Sequence, residues 1–158
     1  MKITYQGSKN LNVQYIWYVQ DQAEQMICYL NKKYGHDFDC RIKTKVGGRS
    51  WGGGKGISIS DRYAANKIQK FREYKSIAND PVIGEFVGTS KECTLAVIAH
   101  EVAHWWHHNL KRHEHGPEWY RGPVRKDPAE KPHGQKWKSI YAELREKFLN
   151  NQLEKLAA

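Results

Sequence analysis

The sequence predicts an α+β fold in which a small antiparallel β-hairpin or sheet packs on helices, and a helix carrying paired histidines precedes a C-terminal helix. Three observations carry this. Apolar residues recur at helical spacing toward both ends of the chain, they alternate strictly over 38–46, and a glycine-rich stretch separates that alternation from a second short apolar run.

In chain order, Ile16, Val19, Ala23, Ile27, Leu30 and Tyr34 define a helix over 13–34, which Gly35 stops. Phe38, Cys40, Ile42, Thr44 and Val46 then alternate with Asp39, Arg41, Lys43 and Lys45, a strand with one wet face. The turn 47–54 leads to a second strand at 56–60. Residues 61–78 read as a helix with Ala64, Ile68 and Phe71 inward, ended by Asn79, Asp80 and Pro81. Thr89, Ser90, Lys91 and Glu92 form a capping box that opens the next helix, along which Leu95, Ile98, Val102 and Trp106 make an apolar stripe. Trp137, Ile140, Tyr141, Leu144 and Phe148 mark the last helix, and Trp17, Trp106 and Trp137 stand at core spacing. The glycines serve a turn that needs positive φ, and a strand edge at Ile57 to Ser60 is a candidate for aligning an extended peptide. Gly54, Lys55 and Gly56 lack phosphate-loop spacing and precede a strand.

The chemistry sits on the stretch His100, Glu101, Val102, Ala103, His104. Histidines at i and i+4 of a helix share one face about 5–6 Å apart, close enough for both to reach a single zinc ion. Glu101 is then placed to act on water as general base. A hydrolytic zinc takes three protein ligands and keeps one position open, so a third ligand must come from elsewhere. His107 and His108 lie farther along the same helix and, with His113, read as exposed or outer groups. Two downstream segments remain, both of the form H-G-x-x-W: His115 to Trp119 and His133 to Trp137. His133 is preferred because it sits one turn ahead of Trp137 on the buried face of the last helix. His115 is the alternative, and a carboxylate from Glu114, Glu118 or Glu130 the remaining option.

The histidine helix, followed by Pro132, His133, Gly134, Gln135, Lys136 and Trp137, resembles the SprT-like metalloprotease domain, the group that includes the Spartan proteases acting on DNA–protein crosslinks. The resemblance covers residues 38–60 and 89–149, and the stretch between His104 and His133 is longer than the family's usual connection. It implies a zinc-dependent peptidase with His100, His104 and His133 on the metal and Glu101 as catalytic base. Its substrates would be proteins or peptides, with DNA as an associated partner. Tyr120 and Arg121 are the candidates for stabilising the oxyanion.

The chain of 158 residues reads as one domain without linker or repeat. No apolar run suits a membrane span and no signal-peptide core is visible, so a cytoplasmic location is expected. Cys28, Cys40 and Cys93 lack metal spacing and read as small buried hydrophobes. The tail Lys155 to Ala158 reads as a cloning remnant. With 26 Lys and Arg against 17 Asp and Glu the net charge is +9, which favours polyanions, and Lys111, Arg112, Arg121, Arg125 and Lys126 in the stretch 109–132 form the expected nucleic-acid patch. Two other readings accompany the peptidase: a zinc hydrolase with an unrelated substrate, and a catalytically silent zinc-containing DNA-binding module.

Overall fold

Asn12 opens the first helix, α1 (Val13–Tyr34), by accepting the backbone N–H groups of Gln14 and Tyr15 on its side-chain oxygen, and the Gly35 N–H closes it on Asn31. These are the predicted limits. Val19, Ala23, Met26, Ile27 and Leu30 are fully buried on one side of it. Trp17 is not in the core: it projects from another side of the helix and is 62% exposed. The computed structural model describes residues 1–153 and is α+β. The tail Lys155 to Ala158 lies outside the described residues.

α1 crosses between two parallel strands, β1 (Ile3–Gln6) and β2 (Cys40–Lys45). Two more strands, β3 (Trp51–Gly53) and β4 (Gly56–Ser60), complete a mixed sheet of order β1-β2-β4-β3. The predicted antiparallel hairpin of β2 with β4 is therefore corrected, since the two run parallel with Ile42 opposite Ile57 and Thr44 opposite Ile59. Parallel neighbours need the intervening chain to return to the starting end of the sheet. Residues 46–55 do this through β3, which pairs antiparallel with β4, Trp51 opposite Ser58. It follows that Ile57 to Ser60 lies inside the sheet, and the edge on that side is β3.

The predicted helix over 61–78 is also corrected. The segment consists of turns and one short strand, β5 (Gln69–Phe71), paired antiparallel with β6 (Phe86–Gly88). Tertiary packing overrode the apparent helical period: Phe71 is buried and stacks on Phe86 at 5.2 Å, whereas Ile68 is 66% exposed. Asp80 binds the N–H groups of Val82 and Ile83 and shapes the following turn.

Helix α2 (Ser90–His115) starts with both bonds of the capping box, Thr89 accepting the Glu92 N–H and Glu92 accepting the Thr89 N–H. It is the central post of the fold, with Leu95, Ile98, Val102, Trp105 and Trp106 all buried. β3 lies directly against it: a Cβ on Gly52 would come within 2.2 Å of the Glu101 carbonyl oxygen, so no side chain fits there. After three 3-10 turns between Trp119 and Glu130, α3 (Gln135–Arg145) packs beside α2 and continues into a π turn at Glu146–Asn150. No helix among the described residues is long and apolar enough to cross a membrane.

Urea denaturation of two variants tests this account of α2. Thr89→Ala loses a cap worth about 1 kcal/mol. Gly52→Ala forces β3 away from the helix and is expected to lose more, up to about 3 kcal/mol as overpacking.

Candidate metal centre

His100 and His104 project from one face of α2 by their four-residue spacing, and His133 meets them from the turn that precedes α3. The three Nε2 atoms stand 3.2, 3.0 and 3.3 Å apart. Nitrogens disposed tetrahedrally about 2.0–2.1 Å from one ion stand about 3.3–3.4 Å apart, so the triangle is close to that of a three-imidazole site. Among the described residues these three histidines are positioned closely enough to bind a metal ion.

His100 and His104 are held from behind. His100 Nδ1 lies 3.2 Å from Glu73 Oε2, and because a carboxylate only accepts, the ring's proton sits on Nδ1 and the Nε2 lone pair points at the cluster. Glu73 also accepts from the Tyr141 hydroxyl at 2.9 Å, and Arg145 donates to that same hydroxyl at 3.0 Å. Burial alone would raise the Glu73 carboxyl, but hydrogen bonds from His100, Tyr141 and the Tyr74 backbone N–H hold it below the usual carboxylate range. The Trp137 indole donates to the His100 carbonyl at 3.2 Å while its ring stacks on His104.

His133 has φ +63°, and no other non-glycine residue described has positive φ. That left-handed backbone swings the imidazole into the cluster, and it is followed by a position where a Cβ would meet the Pro128 carbonyl oxygen at 2.5 Å, which only Gly134 tolerates. The pair His133-Gly134 is thus a device for turning a ligand inward. His115-Gly116 has a different role: it is the C-terminal stop of α2, and Trp119 beyond it lies 4.1 Å from the Lys111 ammonium.

Glu101 is buried beside the cluster, 3.6 Å from His100 Nε2, and its Oε2 has no hydrogen-bond partner. Burial is the main cause that pushes its carboxyl up to about 7. Burial likewise pushes the neighbouring imidazoles down, His104 to about 2 and His133 to about 4, so that both stay neutral and available as ligands.

Two cavities flank the site, of about 280 and 290 Å³, and both are lined by Ser50, Tyr74 and Glu101. Taken together they are the cleft of the site, with Glu101 in the wall of each. Tyr74 covers the centre, its ring 4.1 Å from that of His133. Neither Glu73 nor Tyr74 was a candidate in the sequence, because both fell within the stretch read as a helix.

The other candidates stay off the cluster. His107 and His108 line the cavity beside it, His107 buried against Glu130 at 3.5 Å and His108 packed on Trp119, and His113 meets His36 and Phe38 edge-on. Glu130 also binds Lys136 at 2.6 Å, and Glu114 and Glu118 are exposed. Tyr120 and Arg121 pack on each other outside the cleft, so they are not placed to stabilise an oxyanion there. Lys111 leaves the predicted basic patch, being buried and donating to the Glu130 carbonyl, while Arg112, Arg121, Arg125 and Lys126 are exposed. No family model, curated protein or solved structure matches the chain.

Elemental analysis of purified variants checks the ligand set. One equivalent of metal is expected in the parent and in His115→Ala, and none in His133→Ala; Glu73→Gln should weaken binding about 10- to 100-fold. The depressed imidazoles also predict a pH response of the metal-free protein. An unfolded histidine titrates at about 6.5, so below that value the unfolded chain binds more protons and stability falls with pH. Glu101, with a raised carboxyl, acts in the opposite sense, but three imidazoles, His104, His107 and His133, outweigh it. Thermal melts in chelator should show Tm decreasing from pH 7 toward pH 4; a flat profile would contradict burial of neutral rings.

Proposed function

We propose that the protein is a zinc-dependent metallopeptidase of SprT-like type that hydrolyses peptide bonds in protein substrates, including proteins bound or crosslinked to DNA. The observation that carries the proposal is the buried Glu101 carboxylate, with one oxygen unpartnered, beside three converging imidazole nitrogens in an open cleft. A site built only to hold structure has no use for such a group.

His100, His104 and His133 would hold the ion, and imidazole donors suit zinc well. Zinc, when bound, supplies Lewis acidity that lowers the pKa of water and polarises a carbonyl. Glu101 accepts the proton of the attacking water on its free Oε2 and delivers it to the leaving amine nitrogen. Its elevated affinity for a proton suits a group that must both take and return one near neutral pH. Tyr74, whose ring lies 4.1 Å from that of His133 and which lines both halves of the cleft, is the chain's own candidate to donate a hydrogen bond to the developing oxyanion. A substrate in extended form lies along β3, the sheet edge beside the cleft, where Ser50, Trp51 and Gly52 line the wall. The role first expected of Ile57 to Ser60 passes to this strand. The exposed Arg112, Arg121, Arg125 and Lys126, with the net charge of +9, support the association with DNA.

Hydrolysis of an unstructured protein substrate tests the reading. Activity should vanish with chelator, return with zinc, and fall roughly 10²- to 10⁴-fold in Glu101→Gln while bound zinc is retained. Tyr74→Phe should lower kcat on the order of 100-fold with KM little changed. Turnover that is indifferent to Glu101→Gln would remove the proposal.

A further inference from the structure

The half of the cleft lined by His100 and Glu101 but not by His104 or His133 has an unusual rim. Arg49, Arg62 and Arg72 all line it and all are exposed. Among the described residues none of the three is paired with a carboxylate. Arg62 stands over the Tyr63 ring at 5.3 Å, and beneath it Tyr63, Phe71 and Val97 make an apolar floor. The carboxylates in the same cavity do not neutralise the rim. Glu73 is committed to His100 and Tyr141, and Glu101 belongs to the reacting centre.

Three unpaired guanidinium groups above an apolar floor are complementary to a group with methylenes below and a planar anion at its tip, because the fork of arginine N–H donors matches a carboxylate. The inner wall is formed by His100 and Glu101 themselves, so whatever enters stands one side chain away from the bond being attacked. We infer that this cavity is a specificity subsite for an acidic side chain, Glu or Asp, flanking the scissile bond of the substrate; the inference rests on the peptidase reading. A nucleic-acid phosphate is the competing occupant. It is disfavoured because Tyr63 and Phe71 are buried, 5% and 2% exposed, and the exposed Tyr74 ring lies against that of His133, at the reacting centre and not on the floor.

The test is binding without turnover, using full-length zinc-loaded Glu101→Gln protein and two fluorescent peptides identical except for Glu or Gln at one central position. The Glu peptide should bind about tenfold more tightly. That preference should disappear in the variant that also carries Arg49→Gln, Arg62→Gln and Arg72→Gln, and weaken in each single substitution, with circular dichroism verifying the fold. Equal affinities, or no binding of either peptide at millimolar concentration, overturn the subsite. So does displacement of the Glu peptide by a short single-stranded oligonucleotide whose own binding is lost in the same triple variant. Parallel turnover by the parent separates the two readings. Cleavage that depends on Glu101 but ignores Glu against Gln leaves the peptidase without this subsite; a Glu preference in binding with no cleavage leaves the subsite without the peptidase.

Discussion

The contact between Trp137 and His100 is the constraint on which the rest of the centre depends. One indole ties α3 to α2 through the His100 carbonyl, stacks on His104 and stands one turn from His133, so a single fully buried side chain sets the position of all three rings. Burial of a tryptophan contributes several kcal/mol, far more than a hydrogen bond of about 1 kcal/mol. The indole N–H therefore acts less as glue than as a key, giving the two helices one register in which the rings converge.

Behind this contact runs a second layer of polar order. Arg145 is 3% exposed and donates to Tyr141, Asn150 and the Gly84 carbonyl, and its guanidinium lies over the Phe86 ring at 5.0 Å. Removing one partner of a buried charge typically costs 3–5 kcal/mol, and here the charges are bridged by the Tyr141 hydroxyl. The relay ends on Glu73, which holds the His100 tautomer. It also explains the course of the chain over 61–78: strand β5 brings Phe71 inward and the residues after it set Glu73 beneath His100, which a helix beginning at 61 has no reason to do.

The local signals were legible where they acted alone. The helix over 13–34 with its Gly35 stop and the Thr89 capping box are written in short stretches of sequence and mark helix ends faithfully. The meeting of His100, His104 and His133 was readable because two rings share a helix face and the third stands one turn ahead of Trp137, on the apolar face of the last helix. What escaped depended on partners distant in sequence. The parallel pairing of β2 with β4 hinges on β3 folding to the outside, and Ala64, Ile68 and Phe71 mimic a helical stripe by accident of spacing. Tyr74, the arginine rim and the burial of Lys111 arise from the same long-range packing. The two H-G-x-x-W segments, alike in sequence, part in their surroundings: Gly116 ends a helix in open space, while Gly134 precedes one under a carbonyl that leaves no room for a side chain.

The left-handed backbone at His133 concentrates the geometry of the triangle in one torsion. The third imidazole reaches the cluster through one backbone conformation, held between the 3-10 turns and the first turn of α3. His100 and His104 ride together on α2, which fixes their separation, whereas the third vertex of the triangle rests on this one turn. A substitution that takes residue 133 out of the left-handed region would leave the two helical rings where they stand and open the other two sides of the triangle.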